Sequence, residues 1–500
     1  PHPLSFDQSS RKMPSGSGNP RLSMQMEKTV VLYPGLAVSH FVPMMRLGGA
    51  LVEHGYAVSV ALIDPAVNPD AAFGAVVAGA AASMPPVRFH TLPLVEDPPR
   101  VIPGAQFLVS YYNLVHSYND RLRDFLCSFT RVHAVVVDSL SAEALGVAKT
   151  LGIPGYLMFT SSAATLAAFA QLPYYALTKG NGASFRELGD TPVELFGLPP
   201  IPASHLFGEA LEDPESDTYK ATMAGMSMIP DTGDGILVNT FESLEARVVA
   251  ALADPRCLPA GRVMPPVYCL GPFLGGIGEA KERHDCLAWL DAQPDRSVVF
   301  LCFGSTGTAN HSEEQLREIA AGLENSGHRF LWVVRAPRGD DPDLHALLPD
   351  GFLDRTGGRG LVVKQWAPQA EVLRHRATGA FVTHCGWNSV LEGVTAGVPM
   401  LCWPLHSEQK MNKVHMVGEM GVAEEMIGWQ QGLVQADEVE RKVRLVMESQ
   451  EGREIRARVA AHNDAAAAAW GNGGSSRAAF GRFLSDVDRR QAPARAGEDA

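Results

Sequence analysis

TVVLYPGLAVSHFVPMMRLGGALVEHGYAVSVALID, residues 29–64, decides the fold, because SVVFLCFGSTGTANHSEEQLREIAAGLENSGHRFLWVVR, residues 297–335, repeats its grammar. In each, a short apolar run reaches a glycine. A loop follows, then a stretch with apolar residues at helical spacing, then a second apolar run. TVVLY and SVVFLCF are near-continuously apolar rather than alternating. That marks strands of a parallel sheet covered on both faces. Strand–loop–helix–strand units of this kind build doubly wound α/β sheets, whose ligands bind at the carboxyl ends of the strands. Two copies predict two such domains, with the active site in the cleft between them.

Length agrees, since 500 residues exceed what one hydrophobic core serves. Residues 1–25, rich in Ser, Pro and Gly and without periodicity, read as a disordered leader. The first domain is expected over 26–260, a Pro/Gly-rich linker over 261–285 and the second domain over 286–470. A helix within 471–487 is expected to cross back to the first domain, ahead of a frayed tail at 488–500. With 46% apolar and 19% charged residues the chain is globular rather than disordered. A net charge of −13 argues against nucleic acid or an acidic membrane as the main partner. The seven cysteines are scattered, with no C-x-x-C pair, which fits a reduced, cytoplasmic setting. No apolar run reaches the roughly 18 residues of a membrane span.

The most informative chemistry lies in GAFVTHCGWNSVLEGVTAGVPMLCWP, residues 379–404. It reads as a buried strand ending at His384, a tight turn, and a helix closed by Gly397 and Pro399. A helix starting directly after a parallel strand offers free backbone N–H groups and a partial positive charge. Gly386 lets the backbone approach a ligand closely. His384, Asn388 and Ser389 are placed to hydrogen-bond phosphate oxygens. Glu392 falls on the same helix face, where its carboxylate suits ribose hydroxyls. The next strand ends at Glu408 and Gln409, an acid–amide pair suited to sugar hydroxyls. Taken singly, each of these residues is also an ordinary helix cap or solvated helix start.

Residues 366–409 as a whole are similar to the signature box of plant secondary-product UDP-glycosyltransferases. The match runs through WAPQ, Leu373, His375, HCGWNS, Glu392, Gly397, Pro399 and WPLHSEQ, at the family's full box length. The resemblance implies the GT-B fold, two Rossmann-like domains facing across a cleft. It implies that Trp366 stacks on uracil and that Ala367 and Gln369 read the base edge. His384, Asn388 and Ser389, with Ser305 or Thr306, would hold the diphosphate, and Glu392 the ribose. Trp387, Glu408 and Gln409 would face the sugar, a terminal Gln accompanying glucose donors. His406 departs from the family, which commonly has an aromatic or small residue there.

His40 follows the first glycine-containing turn and precedes a helix, whose positive end favours a neutral ring able to act as a base. Asp138 ends the strand VHAVVVD in the same domain, where it can fix the tautomer and stabilise the cation. Either alone is commonly structural, but both stand where the family keeps its catalytic pair. The expected reaction is one direct displacement at the anomeric carbon, with inversion. The Asp341-Pro-Asp343 triplet lies in a polar loop and is read as solvated, so no metal or other cofactor is expected beyond UDP-glucose as donor substrate. Phe107, Tyr111, Tyr112, Phe159 and Thr160 are candidates to line an acceptor pocket for a flat phenolic molecule, each being equally plausible as core. GLPPIPASHLF is similar to a branch of the family that often takes flavonoids or simple phenols. The expected partners are thus a UDP-sugar and a small acceptor, on a monomer. A nicotinamide or flavin oxidoreductase would need G-x-G-x-x-G after the first strand, which PGLAV lacks. An inactive UDP-sugar sensor would often lose the His or the Asp, and both are present.

Overall fold

The computed structural model describes residues 28–67, 71–102, 104–178, 184–231, 233–259, 261–275, 283–304, 311–335 and 341–491. The expected leader, Ser305 and Thr306 lie outside the described residues. In chain order the strands are β1 (Thr29–Tyr33), β2 (Ala57–Leu62), β3 (Val87–Thr91), β4 (Ala134–Asp138), β5 (Gly155–Phe159), β6 (Pro192–Val193), β7 (Ile201–Pro202), β8 (Gly235–Val238), β9 (Val267–Cys269), β10 (Val298–Cys302), β11 (Arg329–Val334), β12 (Gly360–Lys364), β13 (Thr378–Thr383), β14 (Met400–Cys402) and β15 (Ala423–Glu425). One sheet has the order β3-β2-β1-β4-β5-β8-β9 and another β12-β11-β10-β13-β14-β15. Every pairing in both is parallel; β6 and β7 form a small antiparallel ribbon.

The central strands are buried along their whole length, as in β1, β4, β5, β10 and β13. Helices cover both faces, so the strand interiors are apolar and the polar residues Thr29, Asp138, Thr378 and Thr383 stand at strand ends. Each Val or Leu removed from water contributes about 1.5–3 kcal/mol, which is why the runs had to be continuous.

Two boundaries differ from expectation. The stretch assigned to a linker over 261–285 carries β9, whose Tyr268 and Cys269 are buried against β8. The Pro and Gly residues around it obscured a three-residue apolar strand. The tail expected from residue 488 is still helical there, because the final helix runs over Ser475–Gln491. It lies on the first sheet's side: Tyr156 Oη donates to Asp486 at 2.8 Å, and Lys28 pairs with Asp488 at 2.8 Å.

The two sheets meet through buried polar bridges. Trp387 Nε1 donates to the Asn239 carbonyl at 2.7 Å. Asn412 Nδ2 donates to the Cys385 carbonyl at 3.0 Å, while Ser162 and Thr165 both donate to Asn412 Oδ1 at 3.2 Å. Such groups must be paired to be buried at tolerable cost, so they fix one mutual placement of the two sheets. No described helix is long and apolar enough to cross a membrane.

Candidate active site

In each large sheet the strand order reverses once, between β1 and β4 and between β10 and β13. At such a switch point the connections leave in opposite directions and open a crevice beyond the strand ends. The expected site residues gather at these two places.

At the first, the helix Val38–Glu53 follows its N-cap residue Ala37, so His40 stands in its first turn rather than ahead of it. His40 Nδ1 lies 2.8 Å from Asp138 Oδ2. Asp138 is fully buried at the end of β4, and its other oxygen accepts from Leu140 N at 2.9 Å. It caps the 3-10 turn Ser139–Ala144 and orients the histidine at once. Gly35 is what lets the loop pass: a Cβ there would sit 2.7 Å from Asp138 Oδ1. His40 keeps 23% of its side-chain surface exposed, enough to open one edge of the ring to the cleft. With Asp138 ionised, Nδ1 carries the proton and Nε2 is left basic.

The expectation that the helix end keeps this ring's pKa low is corrected. Burial does work to lower it, but the charge and hydrogen bond of Asp138, with Glu408 further off, outweigh burial, and the pKa is raised. Thr160, expected in the acceptor wall, has its Oγ1 3.2 Å from His40 Nδ1 and belongs to this cluster.

At the second switch point, Cys385 takes a left-handed φ of 65° between β13 and the helix Trp387–Thr395. Gly304, at the end of β10, and Gly386 flank His384: a Cβ at Gly304 would lie 2.8 Å from Nε2, and one at Gly386 would overlap it. Burial, then the nearby His406 and Arg335, push the His384 pKa down to about 3. Its ring is therefore neutral, and its buried Nδ1 meets no partner among the described residues. Asn388 Oδ1 is likewise without a partner among the described residues, while Nδ2 donates to the Ser39 carbonyl at 2.9 Å. That bond ties the second turn to the residue before His40.

Trp366 is 56% exposed, an open ring face beside His284. Ala367 is buried. Gln369 Nε2 donates to Ser389 Oγ at 2.9 Å and to Glu392 Oε2 at 2.8 Å, so its amide is already engaged. Burial raises the Glu392 pKa, against the Gln369 hydrogen bond. Trp387 does not turn its ring to the cleft. Its indole is buried in the second sheet's core and bonded to Asn239, leaving only its backbone in the turn. Gln409 is also inward: Oε1 accepts from Leu405 N and His406 N at 2.9 and 3.0 Å. Glu408 precedes the helix Gln409–Gly418 without capping it through its side chain, and accepts from Ser161 of the first domain at 3.1 Å.

The acceptor candidates divide. Tyr111 and Phe159 are buried, Phe159 edge-on to Phe169, whereas Phe107 and Tyr112 are half-buried. Burial, with Glu209 and Asp138 nearby, pushes the Tyr112 pKa up to about 12. Sequence reasoning passed over Glu209, Ser161, Asn412 and Arg335. For Arg335 a signal existed, a lone cation directly after the apolar run RFLWVV. Asp341 pairs with Lys364 at 2.8 Å, and Asp343 caps a short helix by accepting from His345 N. Among the described residues no group of three or more His, Cys, Asp or Glu is arranged to hold a metal ion.

The chain is similar to known proteins over most of its length. The family model described as UDP-glucoronosyl and UDP-glucosyl transferase matches residues 262–454. UDP-glycosyltransferase 88F4 of Malus domestica is 40% identical over 490 residues, covering 92% of this chain and 100% of the relative. Anthocyanidin 5,3-O-glucosyltransferase of a Rosa hybrid cultivar is 38% identical over 471 residues, covering 91% and 98%. The solved structure of Phytolacca americana UGT2 complexed with UDP-2fluoro-glucose and pterostilbene superposes with a TM-score of 0.81 at 35% identity, covering 92% and 100%. Two parallel sheets with paired switch points, the 366–409 box and this likeness over nearly the whole chain make it a GT-B enzyme of the plant UDP-glycosyltransferase family.

Proposed function

We propose that this enzyme transfers glucose from UDP-glucose to a hydroxyl of a small phenolic acceptor, of flavonoid or similar type, by one inverting displacement. The observation that carries the reading is the His40–Asp138 pair at 2.8 Å, tied through Ser39 to Asn388 of the donor turn. His40 Nε2 takes the acceptor proton as the acceptor oxygen bonds to the anomeric carbon. The bond from that carbon to the phosphate oxygen breaks on the opposite face, and UDP leaves. Asp138 stabilises the imidazolium formed. Charge growing on the phosphate is met by the start of the Trp387–Thr395 helix and by neutral His384. His384, Asn388 and Ser389 hold the diphosphate, Glu392 the ribose, and the exposed Trp366 stacks on uracil. Glu408, with the remaining Gln409 N–H, takes sugar hydroxyls.

The acceptor class rests on the half-buried aromatic wall at Phe107 and Tyr112. The named activity of the Rosa relative and the pterostilbene held by the Phytolacca structure support it. We take the enzyme to act as a cytoplasmic monomer without a metal.

The test is UDP release and product mass from UDP-glucose with a phenolic panel, with and without EDTA, for wild type and His40→Ala. Products heavier by one hexose, insensitive to EDTA and lost in His40→Ala, are expected. Loss of product with EDTA, or full activity in His40→Ala, would refute the mechanism.

A further inference from the structure

Tyr111 was a candidate for the acceptor wall or equally for the core; its ring is buried, and its hydroxyl lies with the Asp138 carboxylate around Gly35. It accepts from Leu36 N at 3.1 Å, in the loop that leads into the His40 helix. Ser141, in the 3-10 turn that Asp138 caps, stands beside it and works against the burial that raises its pKa. A Cβ on Gly35 would lie 3.3 Å from this hydroxyl and 2.7 Å from Asp138 Oδ1, so phenol and carboxylate crowd the same glycine.

One oxygen thus bonds the segment that leads to His40 and packs, across Gly35, against the Asp138 carboxylate. Leu36 lies four residues before His40, and Ser141 three after Asp138. Leu36 and Ser141 both lie beyond the strand pairing, since β1 ends at Tyr33 and β4 ends at Asp138, which pairs with Met158 of β5. We propose that Tyr111 is a positioning residue for the base: its hydroxyl staples the His40 segment to the Asp138 segment and so sets their hydrogen bond. The inference rests on the reading of His40 as base. The staple matters because proton transfer is steep in geometry, where a displacement of about 1 Å costs up to a hundred-fold in rate.

Tyr111→Phe removes one oxygen and keeps the buried ring, and it is compared with wild type and His40→Ala in the full chain. With UDP-glucose and an accepted phenol, Tyr111→Phe is expected to lower kcat by about ten-fold or more, with KM for both substrates within about two-fold. The acid limb of its pH–rate profile is expected to move to lower pH, because Asp138 no longer holds up the His40 pKa fully. A lower melting temperature with unchanged kcat and pH limb would overturn the proposal and leave Tyr111 as packing. A rise confined to the acceptor KM would also overturn it, returning Tyr111 to the acceptor wall. Full activity in His40→Ala would instead bring down the reading beneath it.

Discussion

The two switch points each carry a histidine, one in the helix after β1 and one directly after β13, and give the two rings opposite chemistry. His40 is handed a buried carboxylate at 2.8 Å and its pKa rises. His384 is handed burial, then the nearby His406 and Arg335, and its pKa falls to about 3. The fold supplies the position; the neighbour decides whether the ring trades a proton or stays neutral and only hydrogen-bonds. Geometry follows the same division. Both rings are part-buried, but the first has a carboxylate partner, whereas the second has a buried nitrogen for which the described residues offer no partner.

If the division is right, the largest effect belongs to His40. His40→Ala should cost about 10²–10⁴-fold in kcat with UDP binding retained, as steady-state kinetics and calorimetry would show. His384→Ala should do the reverse, weakening UDP binding with a smaller loss in kcat once donor saturates; equal losses in both variants would erase the distinction. Next comes Gly386→Ala. Its methyl overlaps His384, so donor affinity should fall by about 1–3 kcal/mol, while Gly35→Ala should leave donor affinity alone and lower kcat.

The pH profile sharpens the comparison further. A base must be neutral, so activity should be lost as pH falls through the raised His40 pKa. His384 stays neutral down to about pH 3 and cannot supply that limb. Asp138→Asn should move the limb to lower pH as well as reduce the rate. Stability should respond in the other place. His205 and His311 are depressed to about 4 and His384 to about 3, chiefly by burial. Between those values and the ordinary histidine pKa of about 6.5 the unfolded chain binds more protons than the folded one. Melting temperature should therefore fall on acidification below neutrality, and replacing His384 by Gln should flatten that fall. The smallest effect expected is Ser161→Ala, which removes one part-buried hydrogen bond to Glu408, about 0.5–1.5 kcal/mol, read as a modest change in KM for UDP-glucose.

The sheets were legible because parallel strands buried on both faces write themselves as continuous apolar runs, and TVVLY and SVVFLCF could hardly be anything else. The box at 366–409 was legible because many fixed residues recur at fixed spacing. Direction was not legible. Trp387 and Gln409 have the right identities but turn inward, toward Asn239 and the 405–406 backbone, since a strand–helix turn sets side-chain direction by dihedrals that spacing does not encode. Nor was the His40 pKa, which needed the distance to a residue 98 positions away. β9 was missed because three apolar residues between prolines carry no period.

Thr160, Ser161 and Ser162 are consecutive hydroxyls reaching His40, Glu408 and Asn412 in turn. For anyone re-engineering this protein they define a keystone: an insertion or deletion in this tripeptide would disturb His40, Glu408 and, through Asn412, the Cys385 turn together.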